Sequence, residues 1–247
     1  MKSILITGCN RGLGLGLVRA LTKDPAGPQT IVATCRDFDR SKELLELCKN
    51  NQNLHVLQLD VRNADTFEKF ADDVKNVVQD GGLNVLFNNA GYSPKSTRIN
   101  FVKAEHLMES FAVNTVGPIM LTKALLPLLK QASTANCDKP VGSGRAAVIN
   151  MSSVLGSIAL NTDGGLYPYR CSKAAVNMAT KSLSSDLKND GILVTSLHPG
   201  WVQTDMGGSN APMTIDASVT QIVQLIKNLN EKHNGSFYQF DGKQLEW

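Results

Sequence analysis

The chain opens with a short apolar, β-branched run, Ser3–Thr7. It passes directly into Thr7-Gly8-Cys9-Asn10-Arg11-Gly12-Leu13-Gly14 and then into a helix-compatible stretch, Leu15–Lys23. A strand, a glycine loop and a helix in that order restrict a fold more than any other feature here. Glycines allow the tight turn and let backbone approach a pyrophosphate. The helix start offers free N–H groups and the positive end of its dipole. The spacing is Gly-x-x-x-Gly-x-Gly, not the Gly-x-Gly-x-x-Gly of the standard dinucleotide fingerprint. A glycine-rich turn without a ligand is the competing reading, and the rest of the chain has to decide.

The rest of the chain repeats the same alternation. Strand patterns cover Thr30–Cys35, Leu54–Leu59, Leu83–Phe87, Ala146–Met151, Leu193–Leu197 and Phe237–Phe240. Helical patterns cover Ser41–Lys49, Ala64–Gln79, Lys103–Lys130, the stretch around Tyr169 and Ile215–Leu229. This predicts an α/β fold: a doubly wound parallel sheet of about seven strands, helices on both faces, right-handed crossovers. No linker or repeat divides it, so residues 1–247 are expected to form one Rossmann-type domain. Composition serves mainly to exclude. With 25 basic and 22 acidic side chains, nothing favours nucleic acid. Five cysteines lack metal-type spacing and read as reduced thiols of a cytoplasmic protein, with no metal site. No apolar run approaches a membrane span.

Several residues then stand at strand ends, where open α/β sheets bind ligands. Arg36 follows the second strand, 22 positions after Gly14 (36 − 14), where an NAD-binding protein carries an acid for the ribose 2′-hydroxyl. An arginine there, with Arg11 in the loop, suits a 2′-phosphate; simple pairing with Asp37 or Asp39 is the alternative. Asp60-Val61 ends the third strand, Asn88-Asn89-Ala90-Gly91 the fourth and Ser152-Ser153 the fifth. Pro118 lies four residues after Asn114 and has no N–H, so the Asn114 carbonyl loses its helical partner and can hold a water; a mere kink is the alternative. Tyr169 and Lys173 share a helix face. At an effective dielectric of ~20, an ammonium ~4 Å away supplies up to about 4 kcal/mol, enough to lower a tyrosine pKa by two or three units. Tyr169 is then a usable general acid or base.

In this order, the glycine loop, Asn88-Asn-Ala-Gly91, Asn114, Ser153, Tyr169-x-x-x-Lys173 and Pro199-Gly200 resemble the short-chain dehydrogenase/reductase family over nearly the whole chain. His-Pro-Gly-Trp-Val and Thr-Asp-Met-Gly-Gly are similar to the sniffer-type carbonyl reductases and C-factor-like proteins. The resemblance implies NADPH/NADP+ as cofactor and a small carbonyl compound as substrate. Tyr169 would be the acid, Lys173 would tune it and hold the nicotinamide ribose, and Ser153 would bind the substrate oxygen. Asn114 would hold a water linked to Lys173 through its main-chain carbonyl. Gly8, Asn10, Arg11, Gly12, Leu13, Arg36, Asn89, Ala90, Gly91, Pro199 and Gly200 would line the cofactor, Asp60 and Val61 bordering the adenine, Val202 and Thr204 holding the carboxamide. A homodimer or homotetramer is expected, as is common in the family. A secondary-alcohol or hydroxysteroid dehydrogenase, and an NADPH-binding regulator with vestigial activity, stay open as alternatives.

Two departures matter. Ser153 and Tyr169 are 16 positions apart (169 − 153), a few more than the family pattern, which puts the serine's position in question. The segment 205–213, the expected substrate loop, has nine residues and two glycines, too few for a deep lid. Tyr92, Pro94, Leu155, Ile158, Tyr167 and Trp201 are left to wall an open, apolar site.

Overall fold

The computed structural model describes residues 1–94 and 98–247. Its strands are β1 (Ser3–Ile6), β2 (Thr30–Cys35), β3 (Leu54–Gln58), β4 (Val85–Asn88), β5 (Ala147–Met151), β6 (Leu193–His198), β7 (Phe237–Gln239) and β8 (Gln244–Leu245). Its helices are α1 (Gly12–Lys23), α2 (Lys42–Lys49), α3 (Phe67–Val78), α4 (Ala104–Phe111), α5 (Gly117–Ala135), α6 (Tyr167–Asp186) and α7 (Ile215–Lys227). All the strands lie in one sheet, ordered β3-β2-β1-β4-β5-β6-β7-β8. Every pairing is parallel except β7 with β8, an antiparallel edge beyond the expected seven strands.

Strand side chains alternate between two apolar layers. Ile4, Ile6, Ile31, Ala33, Val85, Phe87, Ile149 and Met151 face the layer that holds Leu17, Leu21 and Ile222 of α1 and α7. Leu5, Val32, Leu86 and Val148 face the opposite layer, with Phe67, Phe70, Leu121 and Leu125 of α3 and α5. Period-two alternation with both faces apolar is what a parallel sheet covered on both sides requires. The chain moves outward from β1 to β3, then returns to place β4 on the other side of β1. That reversal opens a crevice at the carboxyl ends of β1 and β4.

Strand β4 starts two residues later than the pattern suggests. The Asn84 side chain does the pairing there: its Oδ1 accepts the N–H groups of Lys2 and Ser3, each at 3.0 Å, and its Nδ2 donates to Arg145 O at 2.8 Å. Leu83 N–H turns away to Leu128 O at 3.0 Å. The long middle helix is continuous from α4 to α5 but widens to a π-turn over Ala112–Val116, where Gly117 N–H reaches back to Ala112 O. That run, Ala104–Ala135, contains a window of mean hydropathy 1.4, long and apolar enough to cross a membrane by composition alone. The expectation that no such run exists is therefore corrected. Some 56% of the window is buried inside the protein, and Leu121, Leu125 and Leu129 pack on the sheet.

Gly117 marks where this helix meets the crevice wall. A Cβ at Gly117 would lie 2.6 Å from Val61 O. Gly117→Ala is expected to cost about 1–3 kcal/mol through overpacking, read from the urea midpoint at unchanged m-value.

Candidate active site

The glycine loop is built by close packing. Gly8 has φ +71° and Gly12 φ +57°, both left-handed and favouring glycine. A Cβ on Gly8 would stand 3.0 Å from the Ala90 backbone, so the loop after β1 lies against the turn after β4. Thr7 and Asn89 lock the two together. Thr7 Oγ1 accepts the N–H groups of Asn89 (3.0 Å) and Ala90 (2.9 Å), and Asn89 Nδ2 donates to Thr7 O at 2.8 Å. Helix α1 begins at Gly12, three residues earlier than the pattern suggests. No side chain caps it and its first turn holds no acid. Its first N–H groups face a cleft of about 500 Å³.

Gly8, Asn10, Arg11, Gly12 and Leu13 line one side of that cleft; Asn89, Ala90, Gly91, Pro199 and Thr204 line another. Arg36, Asp60 and Val61 close one end, Tyr169 and Lys173 the other. Asn114, Ser153, Gly200 and Val202 lie outside its wall. Val202 is buried and bridges to Met213, so Thr204 alone of the expected carboxamide pair borders the cleft. Gly200, at φ +87°, makes room for Met213 and Phe240.

The two arginines behave differently. Arg11 Nη1 holds Asp205 at 2.6 Å across the cleft mouth. Arg36 has no ion-pair partner among the described residues. Asp37, its expected alternative partner, is 3.6 Å from Arg40 instead. Sequence reasoning missed Arg62. Its guanidinium grips both oxygens of Asp60 at 2.5–3.1 Å and reaches Glu109 at 3.1 Å, holding the Asp60 carboxyl below the usual carboxylate range. An Arg two positions after an Asp in a loop was the only signal available.

At the other end, Ser153 stays near enough to the Tyr169 hydroxyl to hold its pKa down in part, despite the long intervening segment. Gly156 is what permits this: a Cβ there would lie 2.7 Å from Lys173 Cβ, so the turn after Ser153 packs tightly on α6. Lys173 is buried and donates from Nζ to Met151 O at 2.7 Å. It lies over the Tyr169 ring, 5.6 Å from the centroid. The expected lowering of the Tyr169 pKa by Lys173 is corrected here. Burial pushes the phenol up to about 12, with a Ser153 hydrogen bond offsetting part of the rise, and burial brings Lys173 down to about 7. Desolvation penalises both charged forms, and the ammonium faces a carbonyl and the ring rather than the hydroxyl.

Asn114 is a brace. Its Oδ1 accepts Tyr92 N–H at 2.8 Å; its Nδ2 donates to Tyr92 O at 2.8 Å and to Ser172 Oγ at 2.9 Å. Ser172, also missed, donates in turn to Tyr169 O at 2.8 Å. Asn114 lies inside the π-turn that ends just before Pro118, so the irregularity expected at the proline is a widened turn. Pro118→Ala adds an N–H that competes for the Asn114 carbonyl. A modestly more stable protein with several-fold lower turnover is expected. Thermal melting and steady-state kinetics check both, and unchanged kinetics would leave the proline with a purely structural role.

These features define a Rossmann-type fold with a cleft at the carboxyl ends of its strands, lined by the glycine loop, Tyr169 and Lys173. The family model for short chain dehydrogenases matches residues 2–215, and the chain belongs to that family. Among solved structures it is similar to the carbonyl reductase Sniffer of D. melanogaster, 58% identical with TM-score 0.98 over 100% of both chains. It is also similar to an NADPH-bound carbonyl reductase from chicken fatty liver, 38% identical, TM-score 0.94, covering 100% of this chain and 99% of that one. The C-signal protein of Myxococcus xanthus is 40% identical over 167 residues, 68% of this chain and 94% of its own.

Proposed function

We propose that this protein is an NADPH-dependent carbonyl reductase acting on small aldehydes, ketones or quinones, with Tyr169 as general acid. The observation that carries the reading is one cleft lined by Tyr169 and Lys173, with Ser153 beside Tyr169, and by Arg36, which has no ion-pair partner among the described residues. The residues present suit the cofactor. Uncapped N–H groups at the start of α1 face the cleft centre for a pyrophosphate, and Arg36 suits a 2′-phosphate. Asp60 and Val61 border the adenine end, and Lys173 and Tyr169 stand ready for the nicotinamide ribose. When bound, NADPH supplies the hydride.

The chain's own residues do the rest. A phenol pushed up to about 12 is protonated throughout the neutral range, the state a proton donor needs in reduction. Tyr169 and Ser153 direct their hydroxyls at one oxygen and stabilise the charge developing there. Lys173, brought to about 7, holds a proton that can return to Tyr169, and the Asn114 main chain leads that path toward solvent. The long helices α4–α5 and α6 leave Met108, Val116 and Met178 exposed, which supports pairing into a homodimer or homotetramer. All five cysteines are free thiols, which supports a reducing, cytoplasmic setting.

The 205–213 segment folds back on itself. Thr204 accepts from Gly207 and Gly208 at 3.1 and 2.8 Å, and the Trp201 indole N–H donates to Gly207 O at 2.8 Å. That supports an open site. NADPH consumption against a panel of aldehydes, ketones and quinones tests the reading, with turnover expected for several. Their kcat/KM values should differ by less than roughly a thousandfold when only the remote group changes, about 4 kcal/mol. A larger preference for one bulky substrate would show a lid closing over it.

A further inference from the structure

The segment between the two hydroxyl-bearing site residues is fastened from outside by Trp247. Residues 157–166 run from the turn after Ser153 to the start of α6. Their hydrogen bonds are mostly internal: Asn161 N–H to Ile158 O at 3.3 Å, Thr162 N–H to Leu160 O at 3.1 Å, Leu160 N–H to Ser157 Oγ at 3.1 Å, Gly164 N–H to Asn161 Oδ1 at 3.1 Å. Among the described residues, a single hydrogen bond ties 158–165 to a distant part of the chain. Ala159 N–H donates to Trp247 O at 3.0 Å. The Trp247 indole is stacked on Phe237, centroids 5.7 Å apart and planes at 16°, and Phe237 is fully buried in β7. The hairpin of β7 and β8 thus holds the Trp247 main-chain oxygen in place by seating the indole on the sheet.

The segment also carries strain at its far end. Gly164 and Gly165 have φ +63° and +68°, and Leu166, with a full side chain, has φ +48°. Leu166 O then accepts from Tyr169 N–H at 3.0 Å and Arg170 N–H at 2.9 Å, so the strained residue starts the helix that carries Tyr169. A left-handed leucine persists only where its surroundings hold it.

We infer that Trp247 is a positioning residue for the carbonyl substrate: its main-chain oxygen fixes the 157–166 strap, which leads from the turn after Ser153 into the first turn of the helix that carries Tyr169. This rests on the carbonyl-reductase reading above. It also accounts for how a long Ser153–Tyr169 segment leaves the serine in place: the excess is looped outward and tied down. Without the tie, substrate binding has to order the strap and with it the Ser153–Tyr169 pair at its ends, which weakens binding equally in the ground and transition states and raises KM with kcat unchanged.

Ala159→Pro is the sharpest test. Ala159 occupies the second position of the Ile158–Asn161 turn, where proline is favoured, so the change removes the N–H and keeps the turn. Trp247→Ala removes the stack instead, and Trp247→Phe should restore it. In A159P and W247A the KM for a ketone of the panel should rise about tenfold, the size of one net hydrogen bond, with kcat and the NADPH dissociation constant within about twofold. Amide hydrogen exchange over 157–166 should accelerate in both variants and return toward normal in W247F. An A159P protein with unchanged KM, or with unchanged exchange, overturns the inference. So does a parallel loss of NADPH affinity, which would locate the damage in the fold. Should the unmutated protein reduce no carbonyl at all, the functional reading fails, while the exchange measurement still decides whether Trp247 holds the strap.

Discussion

Tyr169→Phe is expected to remove about 10²–10⁴-fold of turnover and to leave NADPH affinity within a few-fold of the unmutated protein. The substitution deletes one oxygen and its proton. The ring stays, and so does its contact beneath Lys173 at 5.6 Å. Lys173 keeps its bond to Met151 O at 2.7 Å, so the cofactor end of the site should not move. The phenol holds its proton at neutral pH and lies beside Ser153. Stopped-flow turnover and a fluorescence titration with NADPH separate the two effects. Near-normal turnover would remove Tyr169 from the mechanism and favour the reading in which NADPH binding serves regulation.

Arg36→Asp should cost ten- to hundredfold in NADPH affinity and improve NADH binding, so the preference reverses. A charge-assisted contact to a phosphate contributes about 1.5–3 kcal/mol, and an aspartate placed there adds repulsion to the loss. Arg11 should carry less of the preference, because its guanidinium already holds Asp205 at 2.6 Å and both side chains are more than 70% exposed. Arg36 is exposed too, so added salt should weaken NADPH more than NADH. Titrating both cofactors at two salt concentrations checks this. Equal affinities in the unmutated protein would mean that the arginines at this end serve another purpose.

Much of this fold is legible in the sequence because parallel strands buried on both faces leave unbroken apolar runs. Thr30–Cys35 is such a run, and pattern and structure agree on both its ends. The glycine loop is legible because left-handed backbone and close packing at Gly8 and Gly12 admit almost nothing else. Failures fall where side chains replace backbone or where contacts are distant. Asn84 takes over the strand pairing before β4, which no periodicity shows. Strand β8 is two residues long, too short for any pattern to be read.

The site divides in the same way. Spacing on one helix brings Tyr169 and Lys173 together, but their pKa values depend on burial, which a local reading underrates. Both groups lose more to desolvation than the pair regains. The Arg62 grip on Asp60 and Glu109 joins residues 47 positions apart, and the bond from Asn114 to Ser172 spans 58. Of these, only the Asp60–Arg62 pair leaves a local trace in the sequence; the long-range bonds to Glu109 and Ser172 leave none.

Hydride transfer from NADPH to a carbonyl carbon leaves an isotopic record in the product. Incubating the protein with NADPH deuterated at both C4 positions and a ketone, then weighing the product, tests it most directly. One deuterium on the carbinol carbon, formed in step with cofactor oxidation and lost in Tyr169→Phe, is the predicted result. Cofactor that binds tightly but stays reduced beside every carbonyl offered would contradict it.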